Sequence, residues 1–231
     1  MEKTKKLPFN AEPLDELLNG GIEYKSLTNI YGPAGAGKTN LAILASVSCI
    51  RNGKKVIFID TEGGLSIERL QQIVGDMDKI SNDLLIMEPK TFKEQDEIIK
   101  NLEKKVGSDV GLIVVDSLVS LYRLELGKDN FQDVNRKLAN QLAILSKISR
   151  EKDIPVLITN QVYSSFDNGI EIVSRDISKY WSKCLIELVK LDKGRRMAIL
   201  RKHRSLEEER SVEFVITEKG IERSKKKFNL F

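Results

Sequence analysis

A chain of 231 residues, 41% hydrophobic and 31% charged, is long enough to bury a sizeable core and has the composition of an ordinary globular protein. No apolar run approaches the roughly 20 residues that cross a bilayer, and the opening residues lack the apolar stretch of a signal peptide, so the expectation is a cytoplasmic protein with no membrane partner. Two cysteines without a CxxC spacing and a single histidine leave little material for a zinc site or a histidine-based triad, so Cys49 and Cys184 read as reduced structural thiols.

The net charge of +4 is unevenly spread. Residues 183–204 hold eight basic side chains (Lys183, Lys190, Lys193, Arg195, Arg196, Arg201, Lys202, Arg204) against Glu187 and Asp192, an excess of six that leaves the rest of the chain at −2. Composition alone does not decide between a binding footprint and a solvated hairpin.

Taken in chain order, the first apolar run is 26–31, followed by a helical pattern over Lys38–Arg51. Strand Lys55–Asp60 precedes helix Ile67–Val74, and strand Leu84–Met87 precedes a helix over 93–105. A strand at 111–116 leads to a long helix, 131–152, with Leu138, Leu142, Leu145 and Ile148 on one face, and 155–159 is the next strand. Several strands are apolar on both faces, as in a buried parallel sheet covered by helices. The alternation predicts an α/β fold. Towards the C-terminus, 185–191 and 197–200 flank Asp192-Lys193-Gly194, and 212–216 alternates, which predicts antiparallel strands finishing the sheet. Without repeats or a long linker, one domain over 1–231 is expected, with residues 1–25 as a short N-terminal segment.

The motif with most chemical content is Gly32-Pro33-Ala34-Gly35-Ala36-Gly37-Lys38-Thr39, a complete phosphate-binding loop between an apolar strand and a helix. Glycines let successive backbone N–H groups point at phosphate oxygens, and the helix adds the positive end of its dipole. In that setting Lys38 neutralises the β- and γ-phosphates of ATP and Thr39 ligates Mg²⁺. A second strand ends in Asp116, where a carboxylate stands beside the metal at the sheet's C-terminal edge. Lys55–Asp60 runs into Thr61-Glu62, and Glu62 is placed to activate water if its strand neighbours the loop; a capping or loop acid is the alternative. Gln161 is placed to read the γ-phosphate by hydrogen bonding, with a polar strand end as its alternative.

The order of these motifs resembles the core of the RecA/RadA recombinase family, nearest to its archaeal RadB paralogues. Leu17-Leu18-Asn19-Gly20-Gly21-Ile22-Glu23, Ile59-Asp60-Thr61-Glu62-Gly63 with Ile67-Glu68-Arg69-Leu70, Val115-Asp116-Ser117 with Leu121-Tyr122-Arg123, and Ile158-Thr159-Asn160-Gln161-Val162 follow the family order over nearly the whole chain. The resemblance implies a RecA-like ATPase fold, Glu62 as the water-activating residue, Arg69 as an adenine-stacking side chain and Gln161 as the link to DNA-binding loops after Tyr122-Arg123 and after Gln161-Val162. It departs where Gly64-Leu65-Ser66-Ile67 replaces the usual Thr-Phe-Arg-Pro, and where Phe9-Asn10-Ala11 lacks the spacing of the subunit-docking FxxA motif. With no N-terminal DNA-binding domain expected ahead of the core, it implies an ATP- and DNA-binding accessory of homologous recombination, at most a weak ATPase, with no strand exchange of its own. Single-stranded DNA is the favoured ligand and branched DNA a second; the recombinase RadA or a junction-processing nuclease is the candidate protein partner.

Beyond the motifs, Arg175, Lys179, Tyr180, Trp181 and Lys183 interleave aromatics with cations, as single-strand binders do. Tyr180 and Trp181 read equally well as core. Arg201-Lys202-His203-Arg204 is expected where a strand runs out into a loop, so that several cations leave the sheet together towards DNA. The tail 225–231 pairs a basic run with apolar residues, as a frayed terminus or a docking peptide. Two other readings stay open: an active DNA-stimulated recombinase, and a KaiC-like regulatory ATPase, although that group carries paired Glu residues where this chain has Thr61-Glu62.

Overall fold

The computed structural model describes residues 5–127, 129–165, 169–172 and 176–224; Arg175, the side chains of 163–172 and the tail 225–231 lie outside the described residues. At the N-terminal end, β1 (Lys6–Leu7) and β2 (Ile22–Glu23) pair antiparallel around helix α1 (Glu12–Leu17). Phe9, within that segment, is fully buried, and the Asp15 carboxylate accepts the Phe9 and Ala11 N–H groups.

The strand–helix alternation then follows as β3 (Leu27–Gly32), α2 (Lys38–Arg51), β4 (Lys55–Asp60), α3 (Ile67–Val74), β5 (Leu84–Met87), α4 (Phe92–Lys105), β6 (Val110–Asp116), the short α5 (Ser120–Glu125), α6 (Phe131–Glu151) and β7 (Val156–Ser165). A return strand β8 (Gly169–Ile172) and helix α7 (Asp176–Trp181) precede β9 (Cys184–Lys190), β10 (Arg195–Lys202), β11 (Ser211–Thr217) and β12 (Gly220–Arg223). The sheet order is β12-β11-β10-β9-β3-β7-β6-β4-β5, with β8 pairing β7 at the side. From β9 through β5 the neighbours run parallel, and β9 to β12 pair antiparallel. This is the mostly parallel α/β sheet with antiparallel C-terminal strands that the sequence predicts.

Alternate residues of each strand feed two cores, because successive side chains point to opposite faces. Val56 and Phe58 join α2 on one side; Ile57 and Ile59 join α4 and α6 on the other. Helix α2 is buried almost all round, as befits the helix lying over the sheet centre, whereas α4 and α6 bury one stripe each. Thr91 and Glu94 close the start of α4: Thr91 accepts the Glu94 N–H and Glu94 accepts the Lys90 N–H.

Two expectations need correction. β7 does not end near 159: it runs on to Ser165 and returns as β8, with Val162 opposite Ile172 and Ser165 opposite Gly169, so a hairpin stands where a loop was expected. β10 is likewise longer than 197–200, and includes Arg201 and Lys202. Those two cations do not leave the sheet with His203 and Arg204. The intervening turn is the expected one, with Lys193 (φ 56°) and Gly194 (φ 74°) both left-handed.

Candidate nucleotide site

The phosphate loop starts where β3 ends at Gly32, next to β9 in the sheet, and ends where α2 begins at Lys38. Gly32 passes so close to β9 that a Cβ there would run into the Leu188 carbonyl. Gly35 (φ 72°) and Gly37 (φ 105°) take backbone angles that curl the loop, and Ala36 between them is buried. The Lys38 ammonium is buried and donates to the carbonyls of Gly32 (2.9 Å) and Pro33 (3.0 Å). Burial pushes its pKa down, against the Asp116 and Glu62 carboxylates that push it up.

Asp116 closes β6 with its side chain almost wholly buried, accepting a hydrogen bond from the Thr159 hydroxyl on β7 and one from Thr39. Burial raises its pKa, and the neighbouring carboxylates of Glu62 and Asp60 add to the rise. A buried carboxylate beside the Thr39 hydroxyl is an oxygen pair that fits Mg²⁺, while Glu62 and Asp60 nearby already accept protein hydrogen bonds. With a glycine-curled loop and a buried ammonium beside it, the set also fits the phosphates of a nucleotide.

Glu62 lies in a loop shaped by its neighbour Asp60, whose carboxylate accepts the N–H groups of Glu62 (3.1 Å), Gly64 (3.2 Å) and Leu65 (2.9 Å). Thr61 ties the same turn to β6, donating to the Ser117 carbonyl and accepting the Ser117 N–H. Glu62 Oε1 accepts from Ser117 Oγ (2.9 Å) and from Gln161 Nε2 (2.8 Å), and Gln161 Oε1 in turn accepts from Arg123 Nη1 at 3.4 Å. The expected catalytic acid, the expected phosphate reader and one expected DNA contact therefore form a single chain of hydrogen bonds.

Arg69 sits in the first turn of α3, which Ser66 caps. Its guanidinium donates to Asn40, Gln72 and the carbonyls of Glu218 and Gly220. All four bonds use the edge of the group. They hold its plane and leave stacking to its faces, which is compatible with an adenine partner.

The remaining expected DNA contacts divide. Tyr122 turns inward: it is 3% exposed, packs edge-on against Phe92 and donates its hydroxyl to Asn135, so it has no open ring face. Arg201 lies between Glu187 (2.6 Å) and Glu209. Arg204 pairs with Glu23 at 2.7 Å, and the His203 side chain is 1% exposed, with Nδ1 accepting the N–H groups of Ser205 and Leu206. The Lys202 ammonium donates to the Lys179 carbonyl at the last turn of α7. The expectation that these cations leave the sheet together unpaired is thus corrected for Arg201 and Arg204, which are ion-paired though partly exposed, and for His203, whose ring is buried. Arg123 and the half-exposed Lys179 stay near the surface, and Tyr180 is 75% exposed while Trp181 packs against the second core. Sequence reasoning did not single out Ser117, Thr159, Asp60 or Asn40 as site residues, nor Lys190 and Arg196 as neighbours of the phosphate loop. Only contacts between distant segments reveal them.

The sheet order, the loop between β3 and α2, and the acids closing β4 and β6 define a RecA-like P-loop fold. The Rad51 family profile matches residues 3–224. The DNA repair and recombination protein RadB of Methanobrevibacter smithii is 42% identical over 229 residues, covering 95% of this chain and 97% of the relative. RadB of Methanococcus maripaludis (strain C7) is 45% identical over 213 residues, covering 90% and 97%. The crystal structure of the RadB recombinase superposes with a TM-score of 0.82 at 36% identity, over 95% of this chain and all of that one. This chain belongs to the Rad51 family, in its RadB branch. The family is one of nucleotide-binding ATPases. Among the described residues no helix is long and apolar enough to cross a membrane.

Proposed function

We propose that the protein acts in DNA repair and homologous recombination as an ATP- and DNA-binding accessory that turns ATP over slowly, performs no strand exchange of its own, and changes its grip on DNA with nucleotide state. The observation that carries this reading is the chain Glu62–Gln161–Arg123. Gln161 holds the carboxylate that faces the nucleotide with one end of its amide and an outward-facing arginine with the other. A γ-phosphate that draws the Gln161 N–H away from Glu62 would shift the amide oxygen on which Arg123 rests. Slow turnover is supported by Glu62 Oε1, which already accepts two protein hydrogen bonds and has correspondingly less capacity to hold and deprotonate a water. Gly32 to Thr39, with Arg69 at the base, would hold the nucleotide; Thr39 and Asp116 would hold Mg²⁺, which supplies charge neutralisation at the phosphates. By the names of the relatives, the setting is DNA repair and recombination; RadA or a junction-processing nuclease is the protein partner we propose from the family resemblance alone.

The test is binding to single-stranded, duplex and branched DNA across a salt series, with and without Mg·ATP, reading hydrolysis in the same samples. The wild-type protein should show a nucleotide-dependent shift in DNA affinity with little hydrolysis. Gln161→Ala should bind nucleotide and DNA yet lose the shift. A large rise in turnover with single-stranded DNA would instead indicate an active recombinase, and absent or salt-independent DNA binding would remove the DNA half of the reading.

A further inference from the structure

Lys190 ends β9 and Arg196 is the second residue of β10, and the two are register partners directly across the antiparallel pair. Like charges in that relation repel, and among the described residues neither is paired with a carboxylate, whereas Arg195, Arg201 and Arg204 each are. Both lie on the face that holds Ile186, Leu188, Ala198 and Leu200, the face covered by α2 and the phosphate loop. Their contacts are with that loop. Lys190 Nζ donates to the Ala34 carbonyl at 3.5 Å and Arg196 Nη2 to the Gly35 carbonyl at 3.4 Å. Arg196 is steered there by Nη1, which donates to Gly194 O at 2.6 Å, and its Nε–H is buried without an acceptor among the described residues. Ile216 of β11 backs the same spot: its Cδ1 lies 2.9 Å from where a Cβ on Gly37 would be, with Arg196 Cδ at 3.8 Å.

Each of the two carbonyls belongs to a peptide unit whose other end is a loop N–H, that of Gly35 for the first and of Ala36 for the second. A cation donating to the oxygen polarises the unit and makes its N–H a stronger donor. The Ala36 N–H already donates to the Pro33 carbonyl at 3.2 Å within the loop, so the Gly35 N–H is the donor of the two that this polarisation offers an anion. The two positive charges add their own field at the phosphate position.

We propose that Lys190 and Arg196 form a cationic brace behind the phosphate loop and act as positioning residues for nucleotide phosphates. This rests on the reading of Gly32 to Thr39 as a nucleotide site. The segment that looks like a DNA footprint in the sequence then serves, at these two positions, the nucleotide.

Mg·ADP and Mg·ATP titrations of the full chain across a salt series test it, comparing wild type with the Lys190→Met/Arg196→Met double variant and with the charge-conserving Lys190→Arg/Arg196→Lys. The double variant should lose about tenfold in affinity for both nucleotides and show a shallower salt dependence, at an unchanged or higher ligand-free melting temperature because a repulsive pair is gone. The charge-conserving variant should recover most of the loss. Wild-type affinity and salt dependence in the double variant would overturn the brace while leaving the nucleotide site standing, and so would a loss that tracks a fallen melting temperature or is not recovered by the charge-conserving pair. If the wild-type protein itself binds neither nucleotide, the site reading fails and takes the brace with it.

Discussion

Asp116 shows what burying a carboxylate costs. Its folded-state pKa is raised, mainly by burial. The folded protein therefore holds the proton more tightly than the unfolded chain does, and stability falls as pH rises from the ordinary carboxylate value through the raised one. At neutral pH the ionised group weighs against folding until a cation meets it. Asp116→Asn, which keeps an oxygen for the Thr159 hydroxyl, should raise the metal-free melting temperature by about 2–4 °C at pH 7 to 8. That gain should shrink towards pH 4, and Mg²⁺-dependent nucleotide binding should be lost. A melting temperature lowered at every pH would contradict the account. Both cysteines illustrate the neutral counterpart: burial pushes the Cys49 and Cys184 thiols up to about 12, so they behave as apolar packing groups, as their lack of any spacing motif suggests.

Arg201 carries the opposite lesson. Its guanidinium is shared between Glu187, whose side chain is 14% exposed, and Glu209. Arg201→Ala would strand a largely buried carboxylate, and should cost about 1–3 kcal/mol in denaturant unfolding. Glu187→Gln in the same background should return part of that. A variant as stable as wild type would mean the pair is solvent-screened and free to serve elsewhere.

The strand β3 and the loop after it form a unit because glycine is needed where the chain crowds β9. Gly32→Ala would push a methyl group into the Leu188 carbonyl, backbone against backbone, with no flexible side chain to move. The expected loss exceeds about 2 kcal/mol, together with nucleotide binding, read by chemical denaturation and titration of the same samples. Alanine at Gly53, which lies at the turn after α2 with open space around it, is the comparison, since its φ of 74° strains the backbone but creates no clash. The elements legible in the sequence were those long enough to show a one-sided period, α4 and α6, or a largely apolar run, α2 and the strands β3, β4 and β6. The hairpin β7–β8 and helix α7 were not, because a four-residue strand and a six-residue helix have too few positions for a pattern. The length of β10 was hidden for another reason. Its ends are arginine and lysine, residues that hydropathy assigns to loops, and that are kept in the strand by carbonyl and carboxylate partners from other segments.

At the scale of the whole molecule, three of the eight cations over 183–204 are ion-paired and three more donate to carbonyls. Arg195, Arg201 and Arg204 face carboxylates, while Lys190, Arg196 and Lys202 face carbonyls. Neutralising Arg201 and Arg204 together should therefore leave the salt slope of DNA binding nearly unchanged, although it lowers stability. Arg123→Ala should reduce the slope by about one. The reverse ranking in a salt-series binding measurement would return the DNA footprint to the hairpin.

The sequence by itself determined the α/β class, the phosphate loop, Asp116 at the end of its strand and the family, because each is written in contiguous residues whose spacing the backbone preserves. Only the tertiary structure decided which partners the charged segment meets. A charge acts through its nearest partners, and the partners of Lys190, Arg196, Arg201 and Arg204 include residues 156, 161, 14 and 181 positions away in the chain. The net charge read from composition could not distinguish cations paired with carboxylates, such as Arg195, Arg201 and Arg204, from Lys190 and Arg196, which meet only carbonyls.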